Sequence, residues 1–348
     1  MCIRDRTKVV HQGYIEPHAC LADTTNDNRS EIWCSSQGHF MVRSATAAML
    51  GWESSQIKVI PAEIGGGFGG KTTIYLEPLA VKLSQKANRP VKMVMSREEV
   101  FKATGPTPGT KIRVKIGALN DGTITAGKAW LAYESGAFPG SWAEVGSWCV
   151  FAPYDIPNVQ IEAFEVVVNK PINIAYRAPS APMAAFATET VLDQIARKIN
   201  IDPIELRLLN AVEEGAKNHS TFIGTFQRIG FKETLEAIRK HPNYQIPLGP
   251  NQGRGIASGF WFNIAESSSA TVNLTEDGKA VVITGSPDIG GSRASMALMA
   301  AEELGIDVNL IQPLVGDTEA VGFTDVTEGS RATFATGMAV VRACQKLI

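Results

Sequence analysis

The sequence predicts an α+β fold. Segments patterned as strands and segments with helical periodicity both recur along the 348 residues, without the regular βαβ rhythm of a doubly wound sheet. Hydrophobic residues make up 44% and charged residues 20%, the balance of an ordinary globular chain. At roughly 100–200 residues per domain, the length accommodates two or three domains with sizeable cores.

Residues 31–36 read as a short strand, 39–50 as a helix with Ala and Met on its apolar face, and 56–64 as a strand that runs into a glycine-rich turn. Leu76, Leu79, Ala80 and Leu83 recur at spacings of three and four, which predicts a helix over 74–87 with Pro78 near its start. Strands are expected at 91–95, 111–118 and 123–134, the last two joined by the turn Asn120-Asp121-Gly122. A strand at 159–168 precedes a helix over 184–199 and a shorter one over 202–211, with Asp202 as N-cap and Pro203 first in the helix. Further strands are expected at 255–263, 269–275, 280–285 and 310–315, with helices over 294–304 and from 333 onward. Pro, Gly and Asn cluster in 242–254, so the expected division is a first domain 7–241, a linker 242–254 and a second domain 255–348.

The formal net charge of −2 offers no broad basic field, so nucleic acid is excluded as the expected partner. No apolar run reaches the roughly 18 residues of a membrane helix. The five cysteines form no CxxC pair and are odd in number, which speaks against a disulfide framework, a zinc site or an iron–sulfur site. Buried thiols in a reducing, cytoplasmic compartment are expected. The start has no secretory apolar core, and Met1–Arg6 carries no structural logic in the sequence; it is expected to be a scar outside the fold. The chain starts mid-pattern and stops at Lys346-Leu347-Ile348 inside a helical segment, so both ends are expected to be cut.

The turn Gly65-Gly66-Gly67-Phe68-Gly69-Gly70-Lys71 fits more than one motif. Gly65, Gly67 and Gly70 satisfy GxGxxG, and Gly65, Gly70, Lys71 and Thr72 satisfy GxxxxGK[ST]. Both rest on the same physics, in which glycine lets backbone N–H groups close on an anion. Context counts against both. A nucleotide-hydrolysing loop wants a later buried strand ending in Asp, whereas Asp288 follows Val281–Thr284 only after Gly285, Ser286 and Pro287. A dinucleotide fold wants an acid about 20 residues on, and 85–96 supplies none. A glycine bend without any ligand is the remaining alternative.

Four blocks, in order, carry a resemblance. They are GGGFGGK preceded by Ser35-Ser36-Gln37; residues 175–210 (AYRAPSAPMAAFATETVLDQIARKINIDPIELRLLN); Gly285–Gly291; and Gly316-Asp317-Thr318 followed by Gly329-Ser330-Arg331. With these the chain resembles the molybdenum-cofactor subunit of the xanthine dehydrogenase / aldehyde oxidase family. The resemblance implies two consecutive molybdenum-cofactor-binding α+β domains, the second incomplete. It also implies an oxidoreductase that hydroxylates an aldehyde or N-heterocycle with water. Electrons would pass to partner subunits that carry iron–sulfur clusters and FAD, in a dimer of heterotrimers. The cofactor would be molybdenum–molybdopterin in its cytosine dinucleotide form, with no protein residue ligating the metal.

By the same resemblance, Gln37 matches the glutamine that hydrogen-bonds an oxygen on molybdenum, although alone it reads as an exposed amide at a strand end. Gly67, Phe68 and Gly69 match the backbone that closes on the cofactor, and Phe68 could equally be core packing. Arg177 matches the arginine beside molybdenum, where a guanidinium stabilises charge on the substrate. Gly290 and Gly291 match the second cofactor turn; Ser292 stands there in place of the family's glutamine contact. Gly329, Ser330 and Arg331 match a loop whose arginine and amides suit phosphates. Residues 176–186 contain no cysteine, so a copper–molybdenum site is not expected. The family's general-base glutamate sits in a Gly-x-Gly-Glu segment that this sequence lacks, so the chain alone is expected to be inactive. A P-loop nucleotide-binding protein and a non-catalytic binding or assembly module stand as alternatives.

Overall fold

The computed structural model describes every residue except Ser141 and Thr221, and the side chains of Cys2, Ile3 and Arg4. The chain divides into two compact units, each drawn from several stretches of the sequence. One comprises Met1–Val10, Pro106–Ile174 and Ala178–Trp261; the other comprises His11–Gly105, Ala175–Arg177 and Phe262–Ile348.

The first unit is built on a four-stranded sheet in the order Cys2–Thr7, Thr110–Ala118, Ile124–Gly136, Val159–Val167. The first three strands pair antiparallel and the last runs parallel to its neighbour. Residues 1–6 are therefore not outside the fold: Cys2–Thr7 pairs along Thr110–Lys115 as an edge strand. Period-two patterning in 110–118 turns Ile112, Val114 and Ile116 inward, where they meet Ala184, Ala187, Val191 and Ile195 of the helix Ala181–Ile199. The hairpin is locked by Asn210, whose Nδ2 donates to Gly122 O (3.0 Å) and whose Oδ1 accepts from Ile124 N–H (2.8 Å). Asp202 caps the helix Pro203–Leu209 as expected, accepting from Ile204 N–H at 2.7 Å. Arg207, wholly buried, pairs with Glu189 and Asp193 and donates to Ile256 O at 3.0 Å. The stretch 255–263, expected as a strand, has no regular structure. Its backbone is instead fixed at Ile256 by Arg207 and at Ser258, whose N–H donates to Glu189 (2.8 Å).

The second unit holds two sheets. One has the order Ile57–Pro61, Ser30–Cys34, Ala19–Thr24, Val91–Val94; it packs with the helices His39–Leu50 and Glu77–Ala87 around Ala22, Ile32, Val42, Val59 and Val81. The other has the order Ile311–Val315, Ala280–Thr284, Ala270–Leu274, and packs with the helices Ser292–Leu304 and Gly337–Leu347 around Val282, Met296, Ala300 and Val340. Cys20 and Cys34 face each other across an antiparallel pair as free buried thiols. Burial pushes Cys20 up to about 12, which leaves its thiol unreactive.

Candidate functional site

The second unit brings the predicted site segments together. Gln37 closes the strand Ser30–Cys34 onto the helix His39–Leu50, and it is buried, not an exposed strand-end amide. Its Oε1 accepts from Gly69 N–H (2.9 Å) and Lys71 N–H (3.2 Å), while its Nε2 donates to Thr327 O (2.7 Å). Two donors on one side and a carbonyl on the other fix the orientation of the amide. The backbone repeats the tie: Gln37 N–H donates to Lys71 O, and Thr327 N–H donates to Gln37 O. One side chain thus joins 36–38, the glycine turn and 327. The second Nε2 hydrogen has no partner among the described residues, so one donor is left for a ligand.

The turn itself is a set of close approaches. A Cβ on Gly67 would lie 2.5 Å from Gln37 Oε1, one on Gly69 2.4 Å from Ala175 O, and one on Gly70 2.6 Å from the Tyr14 ring. Phe68, at φ +53°, is 43% exposed, which rules out the core-packing alternative. Its carbonyl accepts the N–H of Arg177 at 2.9 Å. Arg177 and Ala178 both have positive φ, +20° and +59°, so the loop is held in a conformation that L-residues rarely adopt. The Arg177 guanidinium is exposed, and among the described residues it makes no ion pair or hydrogen bond.

Gly290 and Gly291 lead into the helix Ser292–Leu304 at φ +62° and +80°, and no atom lies within 4 Å of where their Cβ atoms would be. Ser292 hydroxyl donates to Asp288 Oδ1 at 3.2 Å, and Arg293 Nε donates to Asp288 Oδ2 at 2.7 Å. Burial pushes the Asp288 carboxyl up, but the hydrogen bonds and charge of Arg293, with the Ser292 hydroxyl, outweigh it and hold the group below its ordinary range. This cluster is tied to the start of the glycine turn, since Ile64 N–H donates to Asp288 O and Arg293 pairs with Glu63.

Gly329 and Ser330 also have positive φ, and Ser330 is exposed. Arg331 departs from expectation. Its side chain is wholly buried; it donates to Ala265 O, Asp325 O, Ser267 O and Ser268 Oγ, and it pairs with Glu266 at 3.4 Å. Its guanidinium is consumed inside the protein, and that removes it as a phosphate ligand. Nothing local signals this, because three of the four acceptors lie 63 to 66 residues away in the chain.

Lys71 likewise removes the nucleotide-loop alternative. Its side chain is 1% exposed and its Nζ pairs with Glu16 at 2.5 Å. The next helix begins only at Glu77, so the turn's amides do not open a helix as a phosphate loop requires.

These residues fit a pterin-type cofactor in the groups they leave open. Gln37 keeps a spare donor, Arg177 an unpaired cation, and the 290–291 turn an open backbone, all within one compact unit.

Comparison with known proteins agrees with that fit. Family models described as molybdopterin cofactor-binding domains match residues 4–211 and 228–348. The aldehyde oxidoreductase molybdenum-binding subunit PaoC of Escherichia coli (strain K12) is 30% identical over 96% of this chain and 46% of its own length. The nicotinate dehydrogenase large molybdopterin subunit of Eubacterium barkeri is 32% identical over 65% of this chain and 54% of its own. The aldehyde oxidoreductase of Desulfovibrio gigas superimposes with a TM-score of 0.86 at 24% identity, over 100% of this chain and 40% of that one, which establishes the likeness of fold. The chain thus spans about half the length of the curated relatives it matches. It belongs to the family of molybdopterin cofactor-binding proteins that includes the molybdenum-binding subunits of xanthine dehydrogenases and aldehyde oxidoreductases.

Proposed function

We propose that the chain is the cofactor-binding part of a subunit that hydroxylates an aldehyde or N-heterocycle with oxygen from water. The observation that carries the reading is Gln37, a buried amide that ties its own strand end to the glycine turn and to Thr327 and keeps one donor free. Gln37, Phe68, Arg177, Gly290, Gly291 and Ser330 would hold the cofactor. When bound, molybdenum–molybdopterin supplies the two-electron redox chemistry of the reaction. Around it, Gln37 donates a hydrogen bond from a dry, fixed position. Arg177 presents a guanidinium, held by a strained backbone, to charge that develops on the substrate. Ser292 and Arg293 secure the 290–291 turn through Asp288.

For the form of the pterin we propose the cytosine dinucleotide. The open amides at Gly290, Gly291 and Ser330 support it, since such turns suit phosphate oxygens. Iron–sulfur and FAD subunits, in a dimer of heterotrimers, are the proposed partners. The relatives' names support this in part, because they are described as large or molybdenum-binding subunits. A cytoplasmic location is proposed from the reduced cysteines; among the described residues no helix is long and apolar enough to cross a membrane.

The test is metal and cofactor analysis of the full-length complex, with mass spectrometry of the released pterin. Stoichiometric molybdenum and a cytosine dinucleotide are expected. Pure, active material without molybdenum overturns the reading.

A further inference from the structure

The segment Gln12–Glu16 lies outside every motif that the sequence displays, yet it forms the bed of the glycine turn. Its burial alternates: Gln12 and Tyr14 are buried and Glu16 partly so, while Gly13 and Ile15 are exposed. The three inward residues each hold part of the site. Gln12 Nε2 donates to Ala175 O (2.8 Å), two residues before Arg177. Tyr14 underlies the turn, and its ring lies 5.2 Å from Lys71 Nζ.

Glu16 does the most. Its Oε2 accepts from Gly65 N–H at 2.9 Å and from Lys71 Nζ at 2.5 Å. One carboxylate oxygen therefore joins the first and last residues of GGGFGGK. Glu16 N–H also donates back to Gly65 O at 3.2 Å. A Cβ on Gly65 would lie 2.5 Å from Glu16 Cβ, so that glycine is required by Glu16 itself. Lys71 is nearly inaccessible and its ammonium has one carboxylate partner among the described residues. A buried cation with a single partner is tolerated only where geometry holds that partner in place.

We infer that Glu16 is a positioning residue that clamps the two ends of the glycine turn, so that Phe68 and the amides around it are held ready for the cofactor. This rests on the functional reading above for the identity of the ligand, but not for the clamp. Two double variants, compared in the full-length complex, isolate the acceptor. In both, Lys71→Met removes the buried cation, whose loss of a partner would otherwise dominate stability. E16Q/K71M keeps a neutral acceptor for Gly65 N–H, whereas E16M/K71M keeps only the shape of the side chain. Hydrogen exchange of the amides 65–71, thermal unfolding and the rate of pterin loss on dilution are read for each.

The two variants should unfold within about 2 °C of each other, since one hydrogen bond is a small part of the stability of a protein of this size. E16M/K71M should exchange those amides about tenfold faster and lose pterin faster than E16Q/K71M, as expected for one hydrogen bond removed. Equal exchange in the two variants overturns the proposal, because the pair would then serve bulk stability alone. A wild-type complex that carries no pterin sinks the functional reading, while the exchange comparison still decides the clamp.

Discussion

His18 should make the bed of the glycine turn sensitive to acid. Its side chain is 5% exposed, its Nε2 lies 2.7 Å from Tyr14 OH, and its ring meets Tyr75 edge-on at 4.8 Å. Burial, with smaller contributions from Lys71 and His11, pushes its pKa down from 6.5 to about 3. The folded value lies below the unfolded one. The stabilisation from neutral His18 is therefore whole above pH 6.5 and is lost as pH falls toward 3. At pH 5 the unfolded chain has bound the proton and the folded chain has not, which costs about 2 kcal/mol of stability. Because the folded value lies well under 5, this figure is set by the unfolded value. Hydrogen exchange of the adjacent strand Ala19–Thr24, corrected for intrinsic rates, gives the opening free energy at pH 7 and pH 5. The wild type should lose about 2 kcal/mol more over that interval than His18→Gln, which cannot titrate. Equal losses in the two proteins would refute the assignment and show that His18 takes up its proton without the strand opening.

Gly69→Ala puts a Cβ 2.4 Å from Ala175 O at φ +99°, whereas Gly291→Ala at φ +80° meets no atom within 4 Å. Thermal unfolding should show G291A costing about 1 kcal/mol, from backbone strain alone, and G69A clearly more; equal effects would mean that the 175–177 loop moves freely. Arg331→Met strips four acceptors and Glu266 of their donor, and should cost about 3–5 kcal/mol in denaturant unfolding. Arg331→Lys should rescue little, since an ammonium cannot fork to those acceptors; a full rescue would show that the forked contacts carry no stability.

What was legible in the sequence was local. The helix His39–Leu50 and the hairpin at 120–122 follow from periodicity and turn chemistry within a few residues. The helix Arg97–Ala103, absent from the expected elements, is legible too: Ser96 and Glu99 make a reciprocal capping box that the sequence spells out. The stretch 255–263 forms no strand although Ile256 and Phe260 suit one, because side chains of Arg207 and Glu189 take the carbonyl of Ile256 and the N–H of Ser258. The site divides in the same way. Family blocks marked Gln37 and Arg177, but nothing local marks Glu16, whose partners lie 49 and 55 residues away. The arginine of Gly-Ser-Arg at 329–331 reads as available because most of its acceptors, at Ala265, Ser267 and Ser268, are equally remote in the chain.

The glycines of the turn bear most directly on why one sequence matched several cofactor motifs. A glycine in a motif reports that something approaches the backbone closely, and it does not say what. In Gly65-Gly66-Gly67-Phe68-Gly69-Gly70 the space that a Cβ would take is held by protein at four positions: Glu16 at Gly65, Gln37 at Gly67, Ala175 at Gly69 and Tyr14 at Gly70. The same spacing that lets a phosphate loop close on an anion here lets four segments of one unit close on each other. At Gly290 and Gly291 the corresponding space is open and the backbone is left-handed, so conformation and not a protein neighbour calls for glycine there. The prominent motif is therefore a packing node that sets Gln37, Phe68 and Arg177 beside one another, and the plainer pair of glycines leaves backbone open for a ligand to cover.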